Sequence, residues 1–431
     1  METFSAPRGM RDFYPEDFRA REALFNAWRE TAARWGFEMY DAPVVETLDL
    51  LQRKAGEEIS EQIYAFEDKS GRGLALRPEL TPSLARMIIA RQGALSFPLK
   101  WSAIAQCFRY ERMTRGRKRE HYQWNLDIVG EASVMAEAEV LGAAVAALEK
   151  LGLSSADFKV RVGSRALLAA LFARSGIAEQ HFMACCLALD KRGKINDEEV
   201  AALLRGEGMG DADIARVFEL LGLRTLEQVE ARVGEPGAEA VAELRELFAL
   251  SRNLGFADYL VFDLAVVRGL GYYTGIVFEA FDTAGKLRAI FGGGRYDSLL
   301  SALGGEKMPS VGLGFGDVVV MELLADRGKL PQSSRRVGLA VGYMDEVSRP
   351  LAMMIAAMVR TRGWFGCDLG LRAEKPRKFF DRANRIGATL AIIIGPDEAK
   401  SLTFKIKKME SGEAVETTLD GMIDSFSRPR Q

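Results

Sequence analysis

Apolar residues recur every three or four positions near the start of the chain, over residues 17–35. That spacing predicts an amphipathic helix, and Gly36 directly after it is suited to end the helix. Two short runs rich in strand-forming residues, 64–66 and 74–76, flank a polar turn at 68–71. This arrangement predicts a β-hairpin.

Thr81 and Pro82 predict the start of a second helix, with Thr81 as the N-cap residue and Pro82 at the first helical position. Extended segments are predicted at residues 99–110, 121–129, 261–267, 275–281 and 287–291. Between about 164 and 254 the apolar spacing is almost wholly helical. We therefore predict an α+β fold, in which helices flank an antiparallel sheet and a helical insertion interrupts it.

A polar, turn-rich stretch at residues 326–336 predicts a linker between two domains. Beyond it, strands predicted at 337–341, 364–369 and 388–395 alternate with helices predicted at 347–362 and 375–386, before two short strands and a final helix. This alternation predicts a mostly parallel α/β sheet. The expected organisation is one domain over residues 1–325, the linker, and an α/β domain over 337–431.

Composition narrows the class of protein without identifying it. The 431 residues are 48% hydrophobic, which excludes a disordered chain, and no apolar run approaches the ~18 residues of a membrane span. The first residues match neither a secretory signal nor a transit peptide, so we expect a cytoplasmic protein without a membrane partner. Four scattered cysteines predict no disulfide framework, and the presence of only two histidines excludes a His-rich metal site.

Charge is unevenly distributed along the chain. The formal net charge is −2, yet residues 335–431 contain 17 Lys or Arg against 12 Asp or Glu. A basic terminal domain on an acidic body is compatible with a polyanionic partner and equally with an ordinary fluctuation of surface charge.

The segment 108–127 carries the strongest chemical signal. Gln123, Asn125 and Asp127 share one face of a predicted strand, opposite a row of large apolar residues. Such a polar row is either a solvated face or a binding surface. Five of the eight residues at 112–119 are Lys or Arg, and a long basic loop near Arg109 suits a triphosphate or a nucleic-acid end.

A glycine-rich run at residues 312–316 superficially matches a dinucleotide-binding loop. The pattern Gly312-x-Gly-x-Gly316 is one residue short of G-x-G-x-x-G, and no matching acidic residue ends a following strand. We therefore exclude a Rossmann site.

Several segments, in the same order along the chain, resemble one known family. Phe108-Arg-Tyr-Glu111, the basic loop and the following strand are similar to motif 2 of class II aminoacyl-tRNA synthetases. The segments that resemble the histidyl-tRNA synthetase branch are Arg77-Pro-Glu-Leu-Thr81, Val267-Arg-Gly-Leu-Gly-Tyr-Tyr-Thr-Gly-Ile-Val-Phe-Glu279 and Gly292-Gly-Gly-Arg-Tyr-Asp297. Pro43 follows the first helix, as motif 1 expects. The terminal α/β domain resembles the anticodon-binding domain of the family.

The resemblance implies a homodimeric histidine–tRNA ligase that uses ATP and Mg²⁺ to activate L-histidine and transfers it to the 3′ end of tRNA(His). The residues it implies for histidine binding are Glu79, Thr81, Arg109, Gln123, Asp127, Arg268, Tyr272, Tyr273 and Tyr296. Those it implies for ATP binding are Arg109, Glu111 and Arg117, with Arg115 and Lys118 beside the outer phosphates. Arg109 and Arg268, on opposite sides of the α-phosphate, are the implied catalytic residues, and no side chains are assigned to a metal.

Two positions depart from the family pattern. Val319 stands where the third class motif usually has an arginine beside ATP, and Gly271 replaces the aspartate of the Arg-Gly-Leu-Asp signature. These losses leave open a catalytically silent paralogue, such as the regulatory subunit of ATP phosphoribosyltransferase. That paralogue typically lacks the anticodon domain, which this chain has. A plain RNA-binding scaffold is a third alternative.

Overall fold

The computed structural model describes residues 4–53, 62–192, 195–269, 271–331, 337–362 and 365–421. The chain divides into two compact units, Met1–Pro331 and Gln332–Gln431. The predicted linker at 326–336 spans this division: Asp326 ends a helix, and residues 332–336 lie outside the described ranges. In the part of the chain that is described, no helix is long and apolar enough to cross a membrane.

The first unit combines three kinds of element. Its strands are β1 (Glu38–Met39), β2 (Val45–Thr47), β3 (Tyr64–Glu67), β4 (Gly73–Leu76), β5 (Leu99–Phe108), β6 (Glu120–Val129), β7 (Phe158–Ser164), β8 (Leu260–Phe262), β9 (Ile276–Asp282), β10 (Phe291–Arg295) and β11 (Ser310–Gly316). Its α-helices are Pro15–Arg34, Leu48–Gln52, Thr81–Arg91, Met135–Lys150, Arg165–Arg174, Phe182–Asp190, Asp197–Gly206, Asp211–Leu220, Leu226–Val233, Ala238–Asn253, Leu299–Ala302 and Asp317–Asp326. Short 3-10 turns occur at Gln92–Ala94, Glu179–His181, Glu235–Gly237 and Ala257–Tyr259.

Eight strands form the main sheet, in the order β1-β5-β6-β11-β10-β9-β7-β8. The pairs are antiparallel except at the two edges, where β1 lies parallel to β5 and β8 lies parallel to β7. The predicted antiparallel sheet is confirmed. The predicted strand at 261–267 is much shorter, since β8 ends at Phe262 and a turn at Asp263–Val266 follows.

One face of the sheet packs against the first helix. The apolar stripe predicted for 17–35 is largely buried in Pro15–Arg34, and the Trp28 ring stacks on Trp124 of β6 at a centroid distance of 5.8 Å. Trp28 also contacts Phe315 of β11, at 5.2 Å. Phe18 is the exception, with 44% of its surface exposed. The aromatic row of β6 therefore faces the core, which turns the polar row to the other face of the sheet.

The glycine-rich run at 292–294 belongs to a strand rather than a loop. The strand predicted at 287–291 is wrong by four residues, because β10 spans Phe291–Arg295. A Cβ at Gly294 would lie 2.6 Å from the Ile276 carbonyl oxygen, and one at Gly293 would overlap the backbone of Gly312. Only glycine permits the neighbouring strands to approach this closely.

A small sheet of order β2-β4-β3 lies beside the main sheet, and it contains the predicted hairpin. The helix Thr81–Arg91 begins close to the predicted position, but its N-cap residue is Leu80, and the Thr81 side chain makes no capping hydrogen bond. The predicted cap is therefore wrong. The Thr81 hydroxyl interacts with Glu79 instead, because that carboxylate is buried and needs partners.

The second unit contains one five-stranded sheet, of order β13-β12-β14-β15-β16. Its strands are β12 (Val337–Tyr343), β13 (Cys367–Leu369), β14 (Ala388–Ile394), β15 (Thr403–Lys408) and β16 (Ala414–Thr418), and its helices are Arg349–Arg362, Pro376–Arg385 and Pro396–Ser401. The first three strands in sequence are parallel, whereas β15 and β16 add antiparallel pairs. The sheet is mixed rather than mostly parallel. The final helix is predicted after the two short strands, and residues 422–431 at the end of the chain lie outside the described residues.

Candidate active site

A cavity of about 170 Å³ opens on the face of the main sheet opposite the first helix. All nine residues implied for histidine binding line it: Glu79, Thr81, Arg109, Gln123, Asp127, Arg268, Tyr272, Tyr273 and Tyr296. They come from the Thr81 helix start, from the residue that follows β5, from β6, and from the segments around β9 and β10. Residues separated by more than two hundred positions therefore meet in one space.

The polar row of β6 forms the floor of this cavity. Gln123, Asn125 and Asp127 are buried, so the solvated-face alternative is wrong. Neighbouring β11 makes room for two of these side chains with glycine. A Cβ at Gly314 would lie 2.8 Å from the Gln123 Cδ atom, and one at Gly312 would overlap the Asp127 carboxylate. The glycine run that superficially matched a nucleotide loop therefore provides the space for polar side chains.

Asp127 is buried with one carboxylate oxygen unused. The Tyr296 hydroxyl donates to Asp127 Oδ1 at 2.5 Å, whereas Oδ2 is buried without a hydrogen-bond partner among the residues described. Burial raises the pKa of Asp127, and the hydrogen bonds from Tyr296 and Asn125 lower it. Burial has the larger effect, and the resulting pKa is about 7. An acceptor without a donor at the floor of a cavity is suited to a ligand N–H group.

Glu79 provides a second carboxylate on the cavity wall. The Tyr272 hydroxyl donates to its Oε2 atom at 3.1 Å. Burial raises the pKa of Glu79, while the charges of Arg109 and Arg268 oppose that rise. The Thr81 hydroxyl interacts with the same carboxylate. A carboxylate and a hydroxyl at one place complement an ammonium group.

Arg268 has a strained backbone and a fixed side chain. Its φ of +56° lies in the left-handed region, which a residue with a Cβ adopts at a cost of ~1–3 kcal/mol. Its Nη1 atom pairs with Glu279 Oε1 at 2.5 Å, and Gly292 leaves the space that the guanidinium fills. Its buried Nε atom has no hydrogen-bond partner within the described ranges.

The strained turn at Arg268 is held by Arg165, whose role the sequence did not reveal. The Arg165 guanidinium, 3% exposed, donates to the carbonyl oxygens of Val267 at 2.8 Å, Arg268 at 2.5 Å and Tyr273 at 3.3 Å. The one available signal was a charged residue inside the otherwise apolar and small run Val162–Leu168. A buried arginine there requires acceptors, and backbone carbonyls supply them.

A second cavity, of about 580 Å³, adjoins the first at two arginines. Arg109 and Arg268 line both cavities. The larger one is also lined by Glu111, Arg117 and Lys118, all of which the resemblance places beside ATP. The Nε atom of Arg109 donates to the Pro78 carbonyl oxygen at 2.9 Å, which holds this side chain at the junction.

The basic side chains of the loop at 112–119 do not all lie in the same cavity. Arg117 lies in the larger cavity, where its Nε atom pairs with Glu111 Oε2 at 2.5 Å. Arg115 instead pairs with Glu322 at 3.0 Å and Asp326 at 2.5 Å and does not line the cavity. The structure therefore does not bring Arg115 to the cavity with Arg117 and Lys118, because two carboxylates of the Asp317–Asp326 helix hold it.

His121 lines the larger cavity but cannot serve as a charged group near neutral pH. Burial, together with the charge of Arg109, lowers its pKa to about 3. No group of three or more His, Cys, Asp or Glu residues suited to holding a metal ion occurs among the described residues. Two of the acidic side chains that line the larger cavity, Glu111 and Glu279, are each paired with an arginine. The arrangement is that of a positioning and electrostatic site for an anionic ligand.

Comparisons with known proteins agree with this geometry. The profile of the histidyl-tRNA synthetase family matches residues 9–316, and that of the anticodon binding domain matches 336–428. The chain is similar to the chloroplastic/mitochondrial histidine–tRNA ligase of Arabidopsis thaliana, with 44% identity over 96% of this chain and 85% of that protein. The histidine–tRNA ligase of Opitutus terrae is 38% identical, over 95% and 94%. The crystal structure of histidyl-tRNA synthetase from Nostoc sp. PCC 7120 superposes with a TM-score of 0.80 and 26% identity, and covers 99% of each chain. With both profiles matched and the motif residues gathered in one cavity, the chain belongs to the histidyl-tRNA synthetase family.

Proposed function

We propose that this protein activates L-histidine with ATP and transfers the histidyl group to the 3′ end of tRNA(His). One observation carries the proposal: the nine residues implied for histidine recognition line a single cavity. The cavity contains one unused buried acceptor at its floor and two arginines at its junction with a larger, basic cavity.

Selection of histidine would rest on Asp127. The free Oδ2 atom would accept from an imidazole N–H group, while Glu79 and Thr81 would hold the α-ammonium group at the other end of the amino acid. A site that presents a buried acceptor discriminates against apolar side chains such as leucine or phenylalanine, because they would leave it unpaired.

Adenylate formation would take place where the two cavities adjoin. The histidine carboxylate attacks the α-phosphorus of ATP, the new C–O–P bond forms, and the bond to the β-phosphate oxygen breaks as pyrophosphate leaves. Arg109 and Arg268 lie at this junction and would neutralise the negative charge that grows on the α-phosphate oxygens. No side-chain nucleophile is required, which suits a site rich in arginine and glutamate.

The larger cavity would hold the rest of ATP. Glu111 would accept from the adenine amino group, and Arg117 would contact the outer phosphates, so their mutual ion pair would open when ATP binds. Mg²⁺ usually binds through one or two carboxylates together with substrate phosphates. Besides Glu111, the carboxylates that line the cavity are Asp190, Glu279 and Asp282, and these would be available for the ion. The ion would supply further neutralisation of phosphate charge.

The tRNA is the second substrate of the proposed reaction. A terminal ribose hydroxyl of tRNA(His) attacks the carbonyl carbon of the adenylate, and AMP leaves. The anticodon-binding profile over 336–428 and the basic character of the same region support an interaction with the anticodon. The homodimer that the resemblance implies and the cytoplasmic location expected from the sequence complete the proposal. Light scattering at several protein concentrations tests the dimer.

The deciding experiment is ATP–pyrophosphate exchange by the purified protein, with each of the twenty amino acids in turn. We expect exchange with histidine alone, followed by charging of tRNA(His). A folded protein that shows no histidine-dependent exchange at millimolar ATP with Mg²⁺ would favour the silent paralogue. Tight binding of tRNA without exchange would favour the RNA-binding scaffold.

A further inference from the structure

The wall of the larger cavity formed by the start of the Asp317–Asp326 helix carries no cation. Val319 lines the cavity there and is 8% exposed, at the position where the family's third motif supplies an arginine. Asp317, at the start of the same helix, has a structural role. Its carboxylate pairs with Arg11 at 3.0 Å and accepts a hydrogen bond from the Tyr122 backbone N–H at 2.9 Å. This wall therefore cannot contact phosphate through a charged side chain of its own.

Arg288 lies at the same end of the adjacent strand. In the β10–β11 pair, Phe291 is opposite Phe315 in antiparallel register. Arg288 precedes Phe291 by three residues, and the Asp317–Asp326 helix begins two residues after Phe315, so both segments leave the sheet at the same end of this strand pair. Arg288 lines the same cavity as Val319. The segment before β10 therefore supplies this cavity with a cation, which the segment after β11 does not.

The Arg288 side chain is available for a ligand. It is partly buried, and in the described part of the chain it has no ion-pair or hydrogen-bond partner. Other arginines of the cavity are paired: Arg161 with Asp263 at 3.3 Å, and Arg192 with Asp197 at 2.9 Å. Lys118 is the other cation of this cavity that lacks such a partner among the described residues. A partly buried guanidinium that has no carboxylate partner of its own and faces a basic cavity is suited to a phosphate ligand.

We propose that Arg288 binds the outer phosphates of ATP and takes the place of the arginine that Val319 replaces. The inference rests on the proposed function, because it assigns a residue to the nucleotide of that same site. It explains how a chain that lacks the usual motif 3 arginine retains a site for the triphosphate.

The first test measures ATP and AMP binding by titration calorimetry, which does not depend on turnover. Arg288→Ala should weaken ATP binding about tenfold or more, whereas AMP binding should stay within about twofold, because AMP lacks the outer phosphates. Arg288→Lys should lie between wild type and Arg288→Ala. Lys286→Ala is the matched control, since Lys286 is exposed in the same loop and does not line the cavity.

The second test is rescue across the strand pair. Val319→Arg, introduced into Arg288→Ala, should restore part of the lost ATP affinity, an effect that a merely structural Arg288 would not produce. The proposal is overturned if Arg288→Ala binds ATP like Lys286→Ala, if ATP and AMP binding weaken equally, or if Val319→Arg restores nothing. If the wild-type protein binds ATP but shows no histidine-dependent exchange, the proposed function fails while this test still decides the role of Arg288.

Discussion

Arg165 donates a hydrogen bond from its Nη2 atom to the backbone carbonyl oxygen of Arg268, at 2.5 Å. With two further bonds to Val267 and Tyr273, the guanidinium ties down both ends of the turn that places Arg268 between the cavities. Arg165 itself lines neither cavity. It is a positioning residue, because its hydrogen bonds stabilise the strained left-handed backbone conformation of Arg268.

Arg165→Lys should therefore lower the adenylation rate by about 10- to 100-fold, which corresponds to the release of ~1–3 kcal/mol of held backbone strain. The KM values for histidine and ATP should change little. Single-turnover adenylation measures the effect. In a double mutant with Arg268→Ala, the Arg165 substitution should cost nothing further in rate, whereas additive losses would show that Arg165 acts independently of Arg268.

Arg268→Ala should lower the adenylation rate by two or more orders of magnitude, because charge on the α-phosphate grows only during attack. Histidine binding in the absence of ATP, measured by calorimetry, should change less than about threefold. An unchanged rate would mean that Arg268 serves the fold, through its pair with Glu279, rather than the reaction.

Asp127→Ala should raise the KM for histidine about tenfold or more and leave the KM for ATP nearly unchanged. The variant removes the acceptor proposed for the imidazole N–H, and an unpaired buried polar group costs ~1–3 kcal/mol. Steady-state pyrophosphate exchange at varied histidine and varied ATP separates the two effects. Equal losses for both substrates would contradict a role in recognition.

Asp127 should also make the unliganded protein less stable as the pH rises. Its pKa of about 7 in the native state exceeds the ~3.9 of an unfolded chain, so the native state holds a proton that the unfolded state has released. The stabilising contribution is therefore complete below about pH 4 and is lost as the pH rises towards 7. Asp127→Asn, which cannot ionise, should have a higher Tm than wild type at pH 8, and a smaller advantage at pH 5. A Tm difference independent of pH would contradict this assignment.

Gly312→Ala should abolish histidine binding and lower the Tm, because the added Cβ would overlap the Asp127 carboxylate. Gly206→Ala is the matched control: it lies in a helix with no heavy atom within 4 Å of the added Cβ, and should leave the Tm unchanged or slightly higher. Calorimetric titration with histidine and thermal melts measure both variants. Normal histidine binding by a folded Gly312→Ala protein would show that Asp127 can shift without loss of recognition.

Deletion of residues 335–431 should spare histidine-dependent pyrophosphate exchange and abolish efficient charging of tRNA(His). The cavities lie wholly within the first compact unit, whereas the anticodon-binding profile covers the second. Comparison of exchange and charging rates measures the effect. Loss of both activities would show that the second unit is needed for the first to fold or function.

Local spacing was enough to predict much of the fold. The helix over 17–35, the hairpin before Leu76 and the alternation along β6 all depend on which residues share a face, and that follows from the period of a helix or strand. The motifs around Arg109 and Arg268 predicted candidate site residues through their resemblance to a known family, and the structure brings most of these residues to two adjoining cavities. These features are encoded within about twenty consecutive residues each.

The relationships that complete the site depend on residues distant in sequence. Arg165 acts on Arg268 from 103 positions away, and carboxylates more than two hundred positions along the chain draw Arg115 out of the cavity. The glycines of β10 and β11 have meaning only once their neighbouring strands are placed, because the atoms that exclude a Cβ belong to other strands. Whether Gln123 and Asp127 faced water or a binding cavity was likewise settled by what packs above the strand. The sequence gives the chemical type of each side chain directly. Its burial and its contact partners depend on packing between distant segments, which cannot be read from the order of residues along one strand.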